Sequence, residues 1–170
     1  MRFTFTAKGL QRVVMATAAV LFILSLTQDA YCFDDCVGSL LPLLTGWLGL
    51  LTEVGWLTDW VMNSDQSASP QGWGSSFSWL ANPLLILSWL VLSRNATLAI
   101  RFSLLAVLFA SSFLFFDRVL ANEAGHYRTV TGVKAGFWLW WLSAIATMAG
   151  SIVLAWYRKR HRIHDAHDFP

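Results

Sequence analysis

The residues best suited to redox chemistry are Cys32 and Cys36, which are separated by three residues. Two nearby thiols pair readily in an oxidising compartment. Thiol oxidoreductases use the tighter Cys-x2-Cys spacing. A thiol-to-quinone relay would also need a second cysteine pair, and the chain has two cysteines in all. The sequence therefore predicts a structural disulfide between Cys32 and Cys36, with thiol redox catalysis as the alternative.

Acid–base chemistry would depend on Glu53, Asp59, His126 and Arg128. A carboxyl group near an apolar interface is a suitable general acid, because such surroundings disfavour its charged form. An enzyme acting on a lipid-linked substrate would need Glu53 or Asp59 to meet His126 or Arg128 in one pocket. A binding protein would leave these groups apart.

The histidines do not indicate a haem or metal centre. A site in a helical bundle needs His side chains on facing helices, and none of the four histidines lies in an apolar stretch. The C-terminal set has ligand-like spacing but belongs to a polar tail, for which we predict a solvated, disordered state. We therefore predict no catalytic residue, cofactor or metal. The tail histidines are His161, His164 and His167.

The composition requires a lipid environment. The chain of 170 residues is 56% hydrophobic and 13% charged, whereas soluble domains carry about 25% charged residues. Basic residues cluster near both termini and form no stripe, which argues against nucleic acid as a partner. The bilayer is the predicted surrounding of this protein.

Four apolar stretches predict an all-α membrane protein, a four-helix transmembrane bundle in one domain covering 1–170. A transmembrane helix needs about 17–25 residues. The predicted spans are 12–31, 77–93, 98–116 and 136–157, and they leave outer loops at 32–76 and 117–135. A cleaved signal peptide is the alternative for the first span. We favour an uncleaved helix, because Gln28 stands where signal peptidase requires a small residue.

The segment Leu40–Met62 is apolar but contains glycines and two acidic residues. We predict an amphipathic helix in the outer interface, bent or interrupted between Gly46 and Gly55, with Glu53 in water. A fifth span is the alternative, and it would invert the charge rule. The predicted polar face comprises Thr45, Gly49, Thr52, Glu53, Trp56 and Asp59. The predicted apolar face comprises Leu40, Leu44, Trp47, Leu48, Leu51 and Val54.

Lys and Arg predict the orientation, because cytoplasmic segments carry an excess of them. Both termini and the turn at Arg94 are basic, while loop 32–76 has acidic residues and no Lys or Arg. We therefore expect both termini in the cytoplasm. Small residues four apart, such as Ala106 and Ala110, predict close helix packing within the bundle or in an oligomer. Asn82 and Ser88 are expected to form hydrogen bonds between helices.

Three aromatic motifs resemble those of a loosely defined group of uncharacterised bacterial inner-membrane proteins of this size. The motifs occupy residues 46–51, 79–85 and 136–140. The resemblance implies a bacterial inner membrane and a multi-pass topology. It implies no activity and no catalytic residue.

The predicted function is interaction: an accessory or immunity-type protein that acts through contacts in or at the membrane. Its partner would be a membrane protein or a second copy of the chain. Tryptophan is enriched at binding hot spots, and it also anchors helices at the lipid interface. An outer-leaflet enzyme is the alternative. The candidate contact residues are Trp47, Trp56, Trp60 and Trp73.

Overall fold

Five α-helices form most of this protein, as its long apolar stretches predict. The structure, a computed structural model, describes residues 6–62, 74–120 and 126–167, without the side chains of residues 56, 58–62 and 161–167. The helices are α1 (Ala7–Leu26), α2 (Leu40–Met62), α3 (Ala81–Leu92), α4 (Ala96–Ser112) and α5 (Ala135–His167). A 3₁₀ segment, Ser75–Leu80, runs directly into α3, and another, Phe113–Phe115, follows α4.

Four helical stretches are long and apolar enough to cross a membrane: Ala7–Leu26, Ser75–Leu92, Ala96–Phe115 and Ala135–Arg160. The first begins earlier than predicted because the Thr6 hydroxyl caps it by accepting the Gly9 N–H at 3.1 Å. The prediction of a disordered tail was wrong, since α5 continues to His167.

Five short strands collect at one end of the helices, and the all-α prediction missed them. Strands β1 (Asp29–Cys32), β2 (Cys36–Gly38) and β5 (Gly132–Val133) form a sheet in the order β2-β1-β5. Strands β3 (Arg118–Leu120) and β4 (Tyr127–Thr129) form a separate antiparallel pair. We call this end of the molecule the strand end and the opposite one the Arg94 end.

The predicted disulfide between Cys32 and Cys36 is confirmed. It closes the turn between β1 and β2, where the two Cα atoms are 3.9 Å apart. The Thr131 main-chain N–H and hydroxyl both donate to the Cys32 carbonyl, at 2.8 and 3.0 Å. The hairpin is therefore attached to the segment that leads into α5.

Small side chains let the helices approach closely. Ala106 and Ala110 on α4 are completely buried and belong to a core cluster with Ala81, Leu85 and Ala144. This small-residue face therefore serves contacts within the chain.

The expected hydrogen bonds between helices are confirmed. The Trp140 indole donates to Asn82 Oδ1 at 2.9 Å, which joins α5 to α3. The Ser88 hydroxyl donates to the Ala99 carbonyl at 3.0 Å, which joins α3 to α4. Such bonds satisfy polar groups that an apolar environment cannot satisfy.

Candidate functional site: a cavity beneath α2

Helix α2 is fastened along one side to the 3₁₀ segment before α3. A Cβ atom added at Gly46 would lie 2.5 Å from Trp79 Cδ1, and one at Gly49 would lie 2.6 Å from Ser76 Oγ. The Trp79 indole also donates to the Leu43 carbonyl at 2.9 Å. The two glycines thus permit a close approach, and a larger residue at either position would require Trp79 or Ser76 to shift. A helix was predicted here, bent or interrupted near Gly46 to Gly55, and α2 is continuous from Leu40 to Met62 without an interruption.

The carboxyl group of Glu53 is buried against the same segment. It accepts hydrogen bonds from the Ser75 hydroxyl at 3.3 Å and from the Ser76 main-chain N–H at 3.2 Å. The prediction that this carboxyl group lies in water was wrong, because none of the residue is exposed. Burial raises the pKa of Glu53, and the hydrogen bonds from the serines oppose that rise.

The charge of Glu53 affects the pKa of Tyr127, which lies on β4. Burial raises the pKa of Tyr127 to about 12, and the negative charge of Glu53 contributes to that rise. His126 and Arg128, the neighbours of Tyr127 in the chain, are exposed. The structure therefore binds Glu53 to Ser75 and Ser76 and places Tyr127 within range of its charge. The side chain of Asp59 lies outside the described part.

Sequence reasoning missed the two serines that hold Glu53. Gly74, directly before them, has a positive φ of 99°, a conformation that suits glycine. It turns the chain so that Ser75 and Ser76 begin the 3₁₀ segment with their polar groups available. A glycine followed by two hydroxyl residues ahead of an apolar stretch was the available signal, and it resembles a helix start.

A cavity of about 670 Å³ lies between the first half of α2 and the strand ends of α1, α3 and α5. Its walls are mainly apolar and include Phe22, Leu48 and Phe137. Among the described residues that line it, none carries an acidic, basic or imidazole side chain. A volume of this size lies within the range of about 300–1,000 Å³ that is typical of ligand pockets.

The opposite face of α2 is an exposed apolar stripe. Leu44 is 62% exposed and Leu51 is 59% exposed, which is unusual for large aliphatic side chains. The predicted apolar face is confirmed except for Leu48, which lines the cavity. Of the predicted polar face, Gly49, Thr52 and Glu53 turn inward and Thr45 is exposed. The stripe comprises Leu40, Leu44, Trp47, Leu51 and Val54.

The predicted tryptophan surface is described only in part. Trp47 is exposed on the stripe, and its indole donates to the Leu44 carbonyl at 2.9 Å. The side chains of Trp56 and Trp60, and the whole of Trp73, lie outside the described part of the chain. Within residues 6–62, 74–120 and 126–167, no three His, Cys, Asp or Glu side chains are grouped so that they could hold a metal ion.

No protein-family model matches this chain, and no curated protein or solved structure is detectably similar to it. The function must therefore be inferred from the geometry of α2, the buried Glu53 and the cavity.

Proposed function

We propose that this chain is an integral membrane interaction protein of the bacterial inner membrane, an accessory or immunity-type protein. Its four long apolar helices form a transmembrane bundle with both termini in the cytoplasm. The strand end then faces outward, and α2 lies at the outer membrane face. There α2 contacts a partner membrane protein.

One observation carries this proposal: α2 has the reverse arrangement of a helix on a soluble protein. Its polar groups, Thr52 and Glu53, turn toward the chain, while its apolar stripe turns away. Exposing such a stripe to water is unfavourable by roughly 25 cal/mol per Å² of apolar surface. The stripe therefore belongs against lipid or against the apolar surface of another protein.

The first prediction concerns topology. The basic residues at both ends resist translocation, so reporters that fluoresce only in the cytoplasm should give a signal when fused to either terminus. An insertion after Gly38, between β2 and α2, is the control and should give none. A dark C-terminal fusion would contradict the four-span topology.

The second prediction concerns the stripe. Replacing both Trp47 and Leu51 by Ala should reduce partner recovery about tenfold or more, because a large apolar anchor dominates such contacts. The measurement is quantitative mass spectrometry after purification in mild detergent. The matched control is Leu90→Ala on α3, where the leucine is 67% exposed and faces the predicted lipid.

Membrane insertion should be unchanged in both variants. If the stripe only anchors α2 to lipid, the double variant will keep its partners and α2 will become more accessible to a membrane-impermeant thiol reagent at introduced cysteines. That result would overturn the interaction proposal.

An outer-leaflet enzyme is the second candidate, and the burial of Glu53 beside the cavity favours it. Ser75 and Ser76 line the cavity and also bind Glu53. This places a carboxyl group of raised pKa directly behind the cavity wall. Turnover of a lipid-linked substrate that is lost in Glu53→Gln, with partner recovery unchanged, would favour the enzyme over the interaction protein.

A further inference from the structure

We propose that the cavity beneath α2 binds a single acyl chain, with the head group of the bound molecule outside the cavity mouth. This proposal rests on the membrane location proposed above, but not on partner binding. The cavity is a separate site from the exposed stripe of α2, because no residue of the stripe lines it.

The polar atoms of the wall do not suit a charged head group. Several wall hydroxyls already donate to main-chain carbonyls within their own segments, so they offer the cavity no free proton. The indole of Trp79 and the amide of Asn82 are also engaged, with the Leu43 and Trp79 carbonyls. The donating hydroxyls are those of Ser25, Thr45, Thr52 and Ser78.

A phosphate or carboxylate would therefore find no cationic side chain among the described wall residues. Burial of an unpaired charge is strongly unfavourable. A hydrocarbon chain requires no hydrogen bond and gains from contact with Phe22, Leu48 and Phe137. The apolar wall therefore favours a hydrocarbon chain over a charged head group.

The cavity reaches the surface at the depth where acyl chains meet head groups. Leu41 and Thr45 on α2 both line the cavity and are exposed. Leu26 also lines it, and α1 ends at this residue. The mouth therefore lies beside the last turn of a span, at the membrane boundary, where an outer-leaflet lipid can insert a chain sideways.

The cavity is also held open. Contacts at Gly46 and Gly49 and the bonds to Glu53 fasten α2 along the α3 side. The mouth at Leu41 and Thr45 lies on the other side. These contacts hold α2 in place over the cavity, so the position of α2 does not depend on a bound ligand.

The test uses the full chain in phospholipid vesicles that contain a trace of phospholipid with a photoreactive acyl chain. A second arm uses a photoreactive fatty acid. Cross-links should reach Phe137, which is 4% exposed and therefore protected from lipid that merely surrounds the protein. Labelling by the phospholipid alone identifies a membrane lipid as the source, and labelling by the fatty acid alone identifies a single-chain ligand. Either result supports the proposal.

Thr45→Trp should obstruct the mouth and reduce labelling of Phe137 about tenfold, because excluding even two methylenes has an effect of this size. Leu44→Trp is the matched control, since Leu44 is the adjacent residue and does not line the cavity. Leu26→Trp obstructs the mouth from α1 and should reproduce the loss if Thr45→Trp fails to fold. Labelling confined to exposed positions such as Leu90, or equal labelling of both α2 variants, would overturn the proposal. Loss of partner recovery alone would leave it intact.

Discussion

Gly136→Ala should lower the free energy of unfolding by about 1–3 kcal/mol, the usual consequence of forcing an extra methyl group into a packed site. A Cβ atom at this position would meet the Ser39 hydroxyl and would lie 2.6 Å from the Asp29 carbonyl oxygen. The second of these atoms belongs to the main chain and cannot rotate away. The start of α5 would have to separate from β1, and one wall of the cavity would move with it.

Gly55→Ala is the matched control, since a Cβ atom there would meet no atom of the described residues within 4 Å apart from its own helix. Because alanine favours helix over glycine by about 0.8–1 kcal/mol, this variant should be slightly more stable than the wild type. Thermal unfolding in one detergent would compare the two variants. Equal melting temperatures for Gly136→Ala and the wild type would show that α5 does not approach β1 this closely.

Glu53→Gln should raise stability at neutral pH and remove a pH dependence from unfolding. Burial raises the pKa of Glu53 above its ordinary value of 4.5. Below about pH 4.5 the carboxyl group is protonated in both the folded and the unfolded chain. As the pH rises toward the raised pKa, only the unfolded chain releases the proton, so the stability of the fold declines. Glutamine cannot ionise and still accepts hydrogen bonds from Ser75 and Ser76.

The wild type and Glu53→Gln should therefore be similar in stability in acid and should diverge as the pH rises, with the variant the more stable. Thr52→Val is the control: it removes a neighbouring hydroxyl of α2 and retains Glu53, so the pH dependence of its unfolding should match that of the wild type.

Glu53→Gln should also lower the pKa of Tyr127 from about 12, measured by tyrosinate absorbance. The pKa of Tyr127 should remain above 10, because burial is the larger cause of its rise. If unfolding of Glu53→Gln shows the same pH dependence as the wild type, the carboxyl group of Glu53 is not buried.

Features that depend on residues close together in the chain could be predicted from the sequence. The lengths of the four apolar helices follow from composition alone, since a bilayer requires about 20 apolar residues per span. The short link after Arg94 predicts that α3 and α4 are antiparallel neighbours, and the structure packs them so. The disulfide joins two cysteines that are close in the chain. Asn82 and Ser88 were correctly expected to bond across helices, because an apolar environment leaves them few other partners.

The short strands were not accessible from the sequence. Strand β5 has two residues and pairs with β1 from the far end of the chain. So short a segment carries no detectable alternation of polar and apolar residues. Its partner is determined only once α1 and α5 have packed together.

The clearest division between sequence and tertiary structure concerns α2. Helical spacing alone determined that Leu40, Leu44 and Leu51 share one face and that Thr52 and Glu53 share another. It did not determine which face meets the rest of the chain. Near a bilayer both arrangements are physically acceptable, because the surroundings can accept an apolar face while the protein satisfies a polar one. Two features of the tertiary structure decided the outcome. Gly46 and Gly49 permit close contact with Trp79 and Ser76, and the serines after Gly74 supply the hydrogen bonds that make burial of the Glu53 carboxyl group tolerable.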